Sequence, residues 1–377
     1  MRRTFVVSSM TGGGAARGTA NLANHWAACG ETVEILTLHQ PHADDVYALH
    51  PSILRRDLGD AEPSSQSLSA VLALLTRIGA PATVAGHAAI IARLRDALRD
   101  SAPEVVIGVV DVTNIRLLAA TRVLPMRVIV SEVADPAAYS MGAWERPRRL
   151  LYPQADAVVC LTPEHADFFR QRGVERVQAI PYAALPAPPR NNREREPLIV
   201  SLTRFAWEKG VDLLVRAFAD VAPMHPEWRV EIYGDGVLRG QIERLIASLN
   251  LKERIRLAGM TRDVYEPLGR AKLFALTSQT EGIPNALCEA MAAGVAPVVT
   301  ECGSGVRTVI REGIDGVIVR PRRKETFAAA LHELMRDDAA RARLAARAPE
   351  VVTRFPMERI AAQWDEVIES KKVAHAC

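Results

Sequence analysis

The 377-residue chain is poor in the features that mark specialised protein classes. No apolar run approaches the ~20 residues a membrane-spanning helix needs. Aromatic residues make up only 5% of it and there is no basic tract, so it lacks the stacking platform and charge of a nucleic-acid binder. A formal net charge of +3 points the same way: no nucleic acid is expected as a partner. The five cysteines, Cys29, Cys160, Cys288, Cys302 and Cys377, are scattered, without metal-ligand spacing and odd in number. That makes a poor disulfide framework and implies a reducing compartment. The basic N-terminus runs into Thr11-Gly-Gly-Gly14 too early for a secretory signal, so a cytoplasmic location is expected. Lysine is scarce beside arginine, which reads as genome bias. No Asp-x-Asp pair occurs, so neither a divalent-metal site nor any other cofactor is expected.

What is present is a pattern of apolar strands alternating with helices. Thr4–Ser8 is a short β-branched run ending in glycines. A helical pattern follows over Gly18–Cys29, then a strand over Thr32–Leu38. Glu104–Val110, Arg127–Ser131, Ala157–Leu161 and Val177–Ile180 repeat the strand signal, with a helix over Trp144–Tyr152. Continuously apolar strands alternating with helices predict a parallel sheet covered on both faces. Residues 186–197 break the pattern with proline and charge, and read as an interdomain linker. A second α/β series begins at the strand Leu198–Leu202. It continues through the strands Arg229–Tyr233, Ile255–Leu257, Leu273–Leu276 and Ala296–Thr300, with helices over Gly210–Val221, Val237–Leu249, Thr326–Met335 and Asp338–Arg347. The fold class is therefore α/β, two doubly wound Rossmann-like parallel-sheet domains. They are expected at 1–185 and 198–356, with a terminal amphipathic helix from 357.

The chemistry concentrates in Glu281-Gly-Ile-Pro-Asn-Ala-Leu-Cys-Glu289. The strand Leu273–Leu276 runs into a loop, and Pro284 suits the first turn of a helix that Gly294 ends. Glu281 thus falls in the loop and Glu289 inside the helix. A carboxylate can accept two hydrogen bonds from a vicinal diol, so one glutamate suits a sugar ring and the other a ribose. The amides around Gly282, Ile283, Pro284 and Asn285 lie at the positive end of the helix dipole, which suits a phosphate. Taken alone, each glutamate reads as well as a solvated surface residue; the whole string does not. Arg204 and Lys209 occupy a loop at the end of another strand, where a guanidinium fork and an ammonium can neutralise a diphosphate. Gly12, Gly13 and Gly14 follow the first strand but lack dinucleotide-binding spacing.

These residues resemble the retaining GT-B glycosyltransferases of glycosyltransferase family 4 over nearly the whole chain. The likeness is strongest at Arg204 with Lys209-Gly210, at Tyr233-Gly-Asp-Gly236 and at Glu281-Gly-Ile-Pro…Glu289-Ala-Met. It implies two domains facing a cleft, with the nucleotide-sugar donor (UDP- or GDP-linked) mostly on the second and the acceptor on the first. It implies that Glu281 contacts sugar hydroxyls, Arg204 and Lys209 the diphosphate, and Gly282–Asn285 the sugar and β-phosphate. Glu289, with Gly234, Asp235 and Arg262, would hold the nucleotide, and Gly12–Gly14 would lie near the phosphates or acceptor. The last helix would pack back on the first domain. Val133 stands where family members commonly carry a sugar-contacting histidine, with Glu132 and Asp135 beside it as stand-ins. Tyr182 replaces the usual asparagine after Ile180-Pro181. The expected activity is metal-independent transfer with retention to a saccharide or lipid-linked glycan in surface polysaccharide synthesis. A nucleotide-sugar epimerase or phosphorylase on the same fold, or a non-catalytic nucleotide-sugar-binding protein, are the alternatives. Arg146, Arg148 and Arg149, around Trp144 and Leu150–Tyr152, and a second face of Arg93, Arg95 and Arg99, suggest peripheral contact with the inner membrane.

Overall fold

The computed structural model describes residues 1–39, 45–59, 62–122, 124–138, 141–189, 194–320 and 322–370. The chain divides into two compact units, Met1–Tyr182 with Met357–Cys377, and Ala183–Pro356.

The first unit opens with β1 (Arg2–Val7), α1 (Gly14–Ala28), β2 (Thr32–Thr37) and β3 (Leu54–Asp57). It goes on through α2 (Ser65–Arg77), α3 (Ala82–Ala85), α4 (Ala88–Ser101), β4 (Val105–Val109) and α5 (Asp111–Thr121). Then come β5 (Arg127–Glu132), α6 (Glu145–Leu151), β6 (Ala157–Cys160), α7 (Pro163–Arg170) and β7 (Val177–Ala179). All seven strands are parallel, in the order β3-β2-β1-β4-β5-β6-β7. Burial on both faces is why β4 and β6 read as unbroken apolar runs. α1 starts at Gly14, four residues before the expected Gly18, because the third glycine of the loop already has helical backbone.

The second unit contains β8 (Glu196–Leu202), α8 (Val211–Val221), β9 (Arg229–Tyr233), α9 (Arg239–Ser248), β10 (Ile255–Gly259), α10 (Tyr265–Arg270) and β11 (Ala271–Leu276). α11 (Asn285–Ala292), β12 (Ala296–Thr300), α12 (Ser304–Val309), β13 (Val317–Val319), α13 (Lys324–Arg336), α14 (Asp338–Arg347) and α15 (Glu350–Arg354) complete it. Its six parallel strands run β10-β9-β8-β11-β12-β13. Val211, Leu214, Val215 and Phe218 recur at helical spacing on α8 and bury one stripe in the core with Ile199, Val230 and Phe327. β8 begins at Glu196, inside the stretch read as linker, and residues 190–193 of that stretch lie outside the described residues.

The chain returns to the first unit through α16 (Met357–Glu369). Ile360, Trp364 and Ile368 form its buried stripe, and Trp364 meets Trp26 of α1 edge-on at 6.5 Å. Arg3 reaches Asp365 at 2.6 Å, and Arg127 and Arg176 both donate to the Ser370 carbonyl. Among the described residues no helix is long and apolar enough to cross a membrane.

Two basic surfaces expected at α4 and α6 do not form as read. Arg148 is buried, paired with Glu145 at 2.8 Å and stacked near Phe168, and Tyr152 is buried too. Arg95 is buried against the end of α5, and Arg93 donates to the Gly59 carbonyl. Helical spacing placed these side chains on faces that α5, α7 and the Gly59 turn cover. Arg146, Arg149 and Leu150 remain exposed.

Candidate active site

In a parallel sheet every strand delivers its following loop to the same edge. Ligands in such folds lie where the strand order reverses, because loops there diverge and leave a crevice. In the second unit that point falls between β8 and β11. The loop after β8 carries Arg204 and Lys209, and the loop after β11 carries Glu281. The topology therefore brings together residues more than 70 positions apart.

The loops are stitched by side chains. Lys209 Nζ lies 2.7 Å from Glu281 Oε1, with the two side chains 19% and 14% exposed. Ser278 Oγ donates to the same carboxylate oxygen at 2.6 Å. The Glu281 amide donates to the Cys302 carbonyl at 2.8 Å, which fixes the glutamate backbone against the end of β12. Gln279 N donates to the Glu208 carbonyl at 2.7 Å and its Nε2 to the Trp207 carbonyl at 2.8 Å. Arg322 Nε donates to Thr277 O at 3.2 Å. Arg204 stands out into solvent, 68% exposed, and meets Glu208 at 2.8 Å. Such an exposed pair is worth little in stability, which leaves the guanidinium free to exchange partners.

Two glycines show how tightly the loops are set. Gly210 sits at φ 57, and a Cβ there would stand 2.5 Å from the Thr277 carbonyl oxygen. At Gly305, in α12, a Cβ would stand 1.3 Å from the carbonyl oxygen of Gly282. α12 thus presses its backbone on the Glu281-Gly-Ile-Pro loop. Gly282, Ile283 and Pro284 are consequently buried, while Asn285, opening α11, is half-buried. Glu289 is half-buried one turn further along α11. Burial pushes the neighbouring Cys288 thiol up to about 12, aided by the Glu289 charge. The Cys302 thiol is raised too, by burial and then by Glu281. Neither thiol is a nucleophile in this setting.

The other residues picked out by the sequence fall in three places. Gly234 and Asp235 follow β9, where the Phe205 amide donates to the Asp235 carbonyl at 2.9 Å. They brace the Arg204 loop from below, and the Asp235 side chain remains exposed beside Arg239 at 3.7 Å. Arg262 follows β10 at the same sheet edge and is exposed. In the first unit, Gly12 and Gly13 follow β1 and Gly14 opens α1, at the reversal between β1 and β4.

Glu132 requires a correction. It is withdrawn from solvent at 2% exposed, accepting hydrogen bonds from the Tyr152 hydroxyl and from Asn114 Nδ2 at 3.1 Å. Burial pushes its carboxyl up to about 7, with the Asp111 charge adding to the shift. Asp135 is part-exposed and 3.8 Å from His165 Nε2. Tyr182 lies over Gly18, where a Cβ would overlap the phenol ring, so the small residue in α1 accommodates the large one.

Sequence reading missed Ser278, Glu208, Arg322 and the Gly303–Gly305 turn. Only Gly303-Ser-Gly305, a glycine pair following a buried strand, carried a local signal.

The comparisons with known proteins agree with this architecture. The family described as Glycosyl transferases group 1 matches residues 187–351, and that described as Glycosyl transferase 4-like domain matches residues 13–183. The chain is similar to S. aureus TarM, solved with fondaparinux, α-GlcNAc-glycerol and UDP: TM-score 0.81, 14% identity, covering 98% of this chain and 100% of that one. An α-1,4-N-acetyl-D-galactosaminyltransferase of Campylobacter jejuni, named for a PP-undecaprenol-linked saccharide, is 26% identical over 99% of this chain and 100% of its own. An exopolysaccharide phosphotransferase of Streptomyces coelicolor is 34% identical over 66% of this chain, and the match spans only 27% of that protein. Two parallel-sheet units with these matches define the GT-B fold class. The chain belongs to the GT-B glycosyltransferases and is a transferase enzyme.

Proposed function

We propose that this glycosyltransferase moves a hexose from a nucleoside-diphosphate sugar to a hydroxyl of a lipid-linked or polymeric glycan, with retention and without a metal. The observation that carries the reading is the Lys209–Glu281–Ser278 cluster, with Arg204 beside it, at the reversal point of the second sheet. One edge offers two cations for a diphosphate and a held carboxylate for sugar hydroxyls. The UDP in the TarM structure supports a uridine donor, and the undecaprenol-linked saccharide in the Campylobacter enzyme's name supports a lipid-linked acceptor.

As the anomeric C–O bond breaks, negative charge grows on the β-phosphate. Arg204, Lys209 and the first turn of α11 oppose that charge. Glu281 accepts hydrogen bonds from sugar hydroxyls while Ser278 and Lys209 keep it oriented. Glu289, a turn inside α11, takes the ribose diol, and Asp235 and Arg262 flank the base side. The acceptor hydroxyl attacks the face the phosphate leaves, and the departing phosphate oxygen takes its proton, so no protein base is needed.

A thermal-shift screen of nucleotide sugars tests the donor. A true donor at ~100 times its Kd stabilises by ~2.7 kcal/mol. A UDP-sugar should raise the melting temperature, and the Lys209→Ala variant should lose most of that rise. A screen in which no nucleotide sugar shifts the wild type would contradict the reading.

A further inference from the structure

The first unit holds a buried arginine that the proposed reaction does not use. Arg116, in α5, is 8% exposed. Among the described residues no carboxylate pairs with it. Its Nη2 shares a 2.9 Å hydrogen bond with His87 Nδ1, and its buried Nε has no partner. Trp144 flanks both groups, with the Arg116 Cζ 5.8 Å and the His87 ring 5.1 Å from the indole centroid. His39, two residues past β2, is near enough to act on His87 as a further positive group.

Burying a guanidinium without a counter-charge is costly, and an anion from outside the chain would offset that cost. Because Arg116 can only donate, His87 Nδ1 must accept, which puts the imidazole proton on Nε2 as a second donor. Burial, then Arg116, then His39 all hold the His87 pKa below its ordinary value, so the ring stays in this donor–acceptor form. An incoming anion would meet the arginine fork, an imidazole N–H and an indole wall. A forked guanidinium matches phosphate oxygens in pairs, and the indole suits an apolar or saccharide substituent. The parts come from α5, the α3–α4 junction and the segment after β5. α5 follows β4, the strand at the reversal point of the first sheet.

We propose that Arg116, His87 and Trp144 form a phosphate-binding site on the first unit that takes the diphosphate of a lipid-linked acceptor. The assignment of the diphosphate to an acceptor rests on the functional reading above; the anion site itself does not. It lies in a different unit from Lys209, and it needs no nucleotide.

Histidine-ring NMR of the full chain, titrated with inorganic pyrophosphate, tests it. The His87 signal is identified by its disappearance in His87→Gln. It should shift saturably in the wild type and equally in Lys209→Ala, which removes the donor-side ammonium. In Arg116→Met the apparent Kd should weaken about tenfold or more, the loss of one charge-assisted contact. The same variant should keep or raise the melting temperature, because it removes an unpaired buried cation. Farnesyl diphosphate binding tighter than pyrophosphate assigns the site to lipid-linked diphosphates; equal or weaker binding assigns it to the free anion and removes the acceptor role. A His87 signal that does not move, or that moves alike in Arg116→Met, overturns the site. So does a marked loss of stability in Arg116→Met, which would make the arginine structural. Loss of donor turnover in Lys209→Ala with the His87 shift intact keeps the two readings separate.

Discussion

At the residue scale, the ion pair Lys209–Glu281 changes how each side chain should respond to mutation. Glu281 holds the ammonium that is proposed to meet the diphosphate. Glu281→Ala should therefore abolish transfer while nucleoside-diphosphate affinity stays level or rises, since Lys209 is released. Lys209→Ala should lower that affinity and cut kcat by ~100- to 1000-fold, the usual cost of one preorganised donor. Calorimetry beside initial rates separates the two, and equal loss of UDP binding in both variants would refute the division of roles. Glu132 leads to a different expectation. Its carboxyl is raised from 4.5 to about 7, first by burial. Between those values the unfolded chain gives up this proton and the folded chain keeps it, so the folded state loses stability as pH rises. The shift corresponds to roughly 3 kcal/mol over that window. Glu132→Gln has no such proton to lose. Urea denaturation should find the variant gaining on the wild type from pH 5 to pH 8, and a pH-independent difference would show that the carboxyl is not shifted.

At the element scale, what the sequence revealed depended on burial. β1, β4, β6 and β12 are covered on both faces and read as apolar runs. β3 is Leu-Arg-Arg-Asp on the sheet edge, with no apolar signal, and went unread. α5 was missed for the opposite reason: it is buried almost all round, so it has no polar face to give a period. The candidate site was legible as two separate strings, because each is local. That both lie at one sheet edge was legible too; the direct Lys209–Glu281 ion pair was not, because it depends on where the two side chains settle. The burial of Glu132 and Arg148 was not legible, because charge in a sequence does not say which neighbours, here Tyr152 and Phe168, will cover it. The contact between α12 and the Glu281-Gly-Ile-Pro loop gives an element-scale prediction. Gly305→Ala should displace the Gly282 backbone, cost about 1–3 kcal/mol by overpacking, and lower activity more than stability alone explains. Denaturation and rate measurements on one sample check it, and unchanged activity would mean the loop tolerates the displacement.

At the scale of the whole molecule, α16 returns the chain from the second unit to the first. Trp364 buries against Trp26, and Arg127 and Arg176 secure the helix end at Ser370. Trp364→Ala should cost ~3–5 kcal/mol, as large aromatic truncations do, and it should act on the first unit. Hydrogen exchange should show α1 and β1 losing protection while β8 and β11 keep theirs. The Ala184 amide donates to the Phe355 carbonyl at 2.9 Å, which ties the start of the second unit to its end. The central claim, that the second unit's sheet edge holds a nucleotide sugar for retaining transfer, has one direct measurement. An α-linked UDP-hexose and a saccharide acceptor are incubated with the enzyme in excess chelator, and the anomeric proton of the product is read by NMR. An α-linked product from the wild type and none from Glu281→Ala is the predicted result. A β-linked product, a requirement for divalent metal, or full turnover by Glu281→Ala would contradict the account.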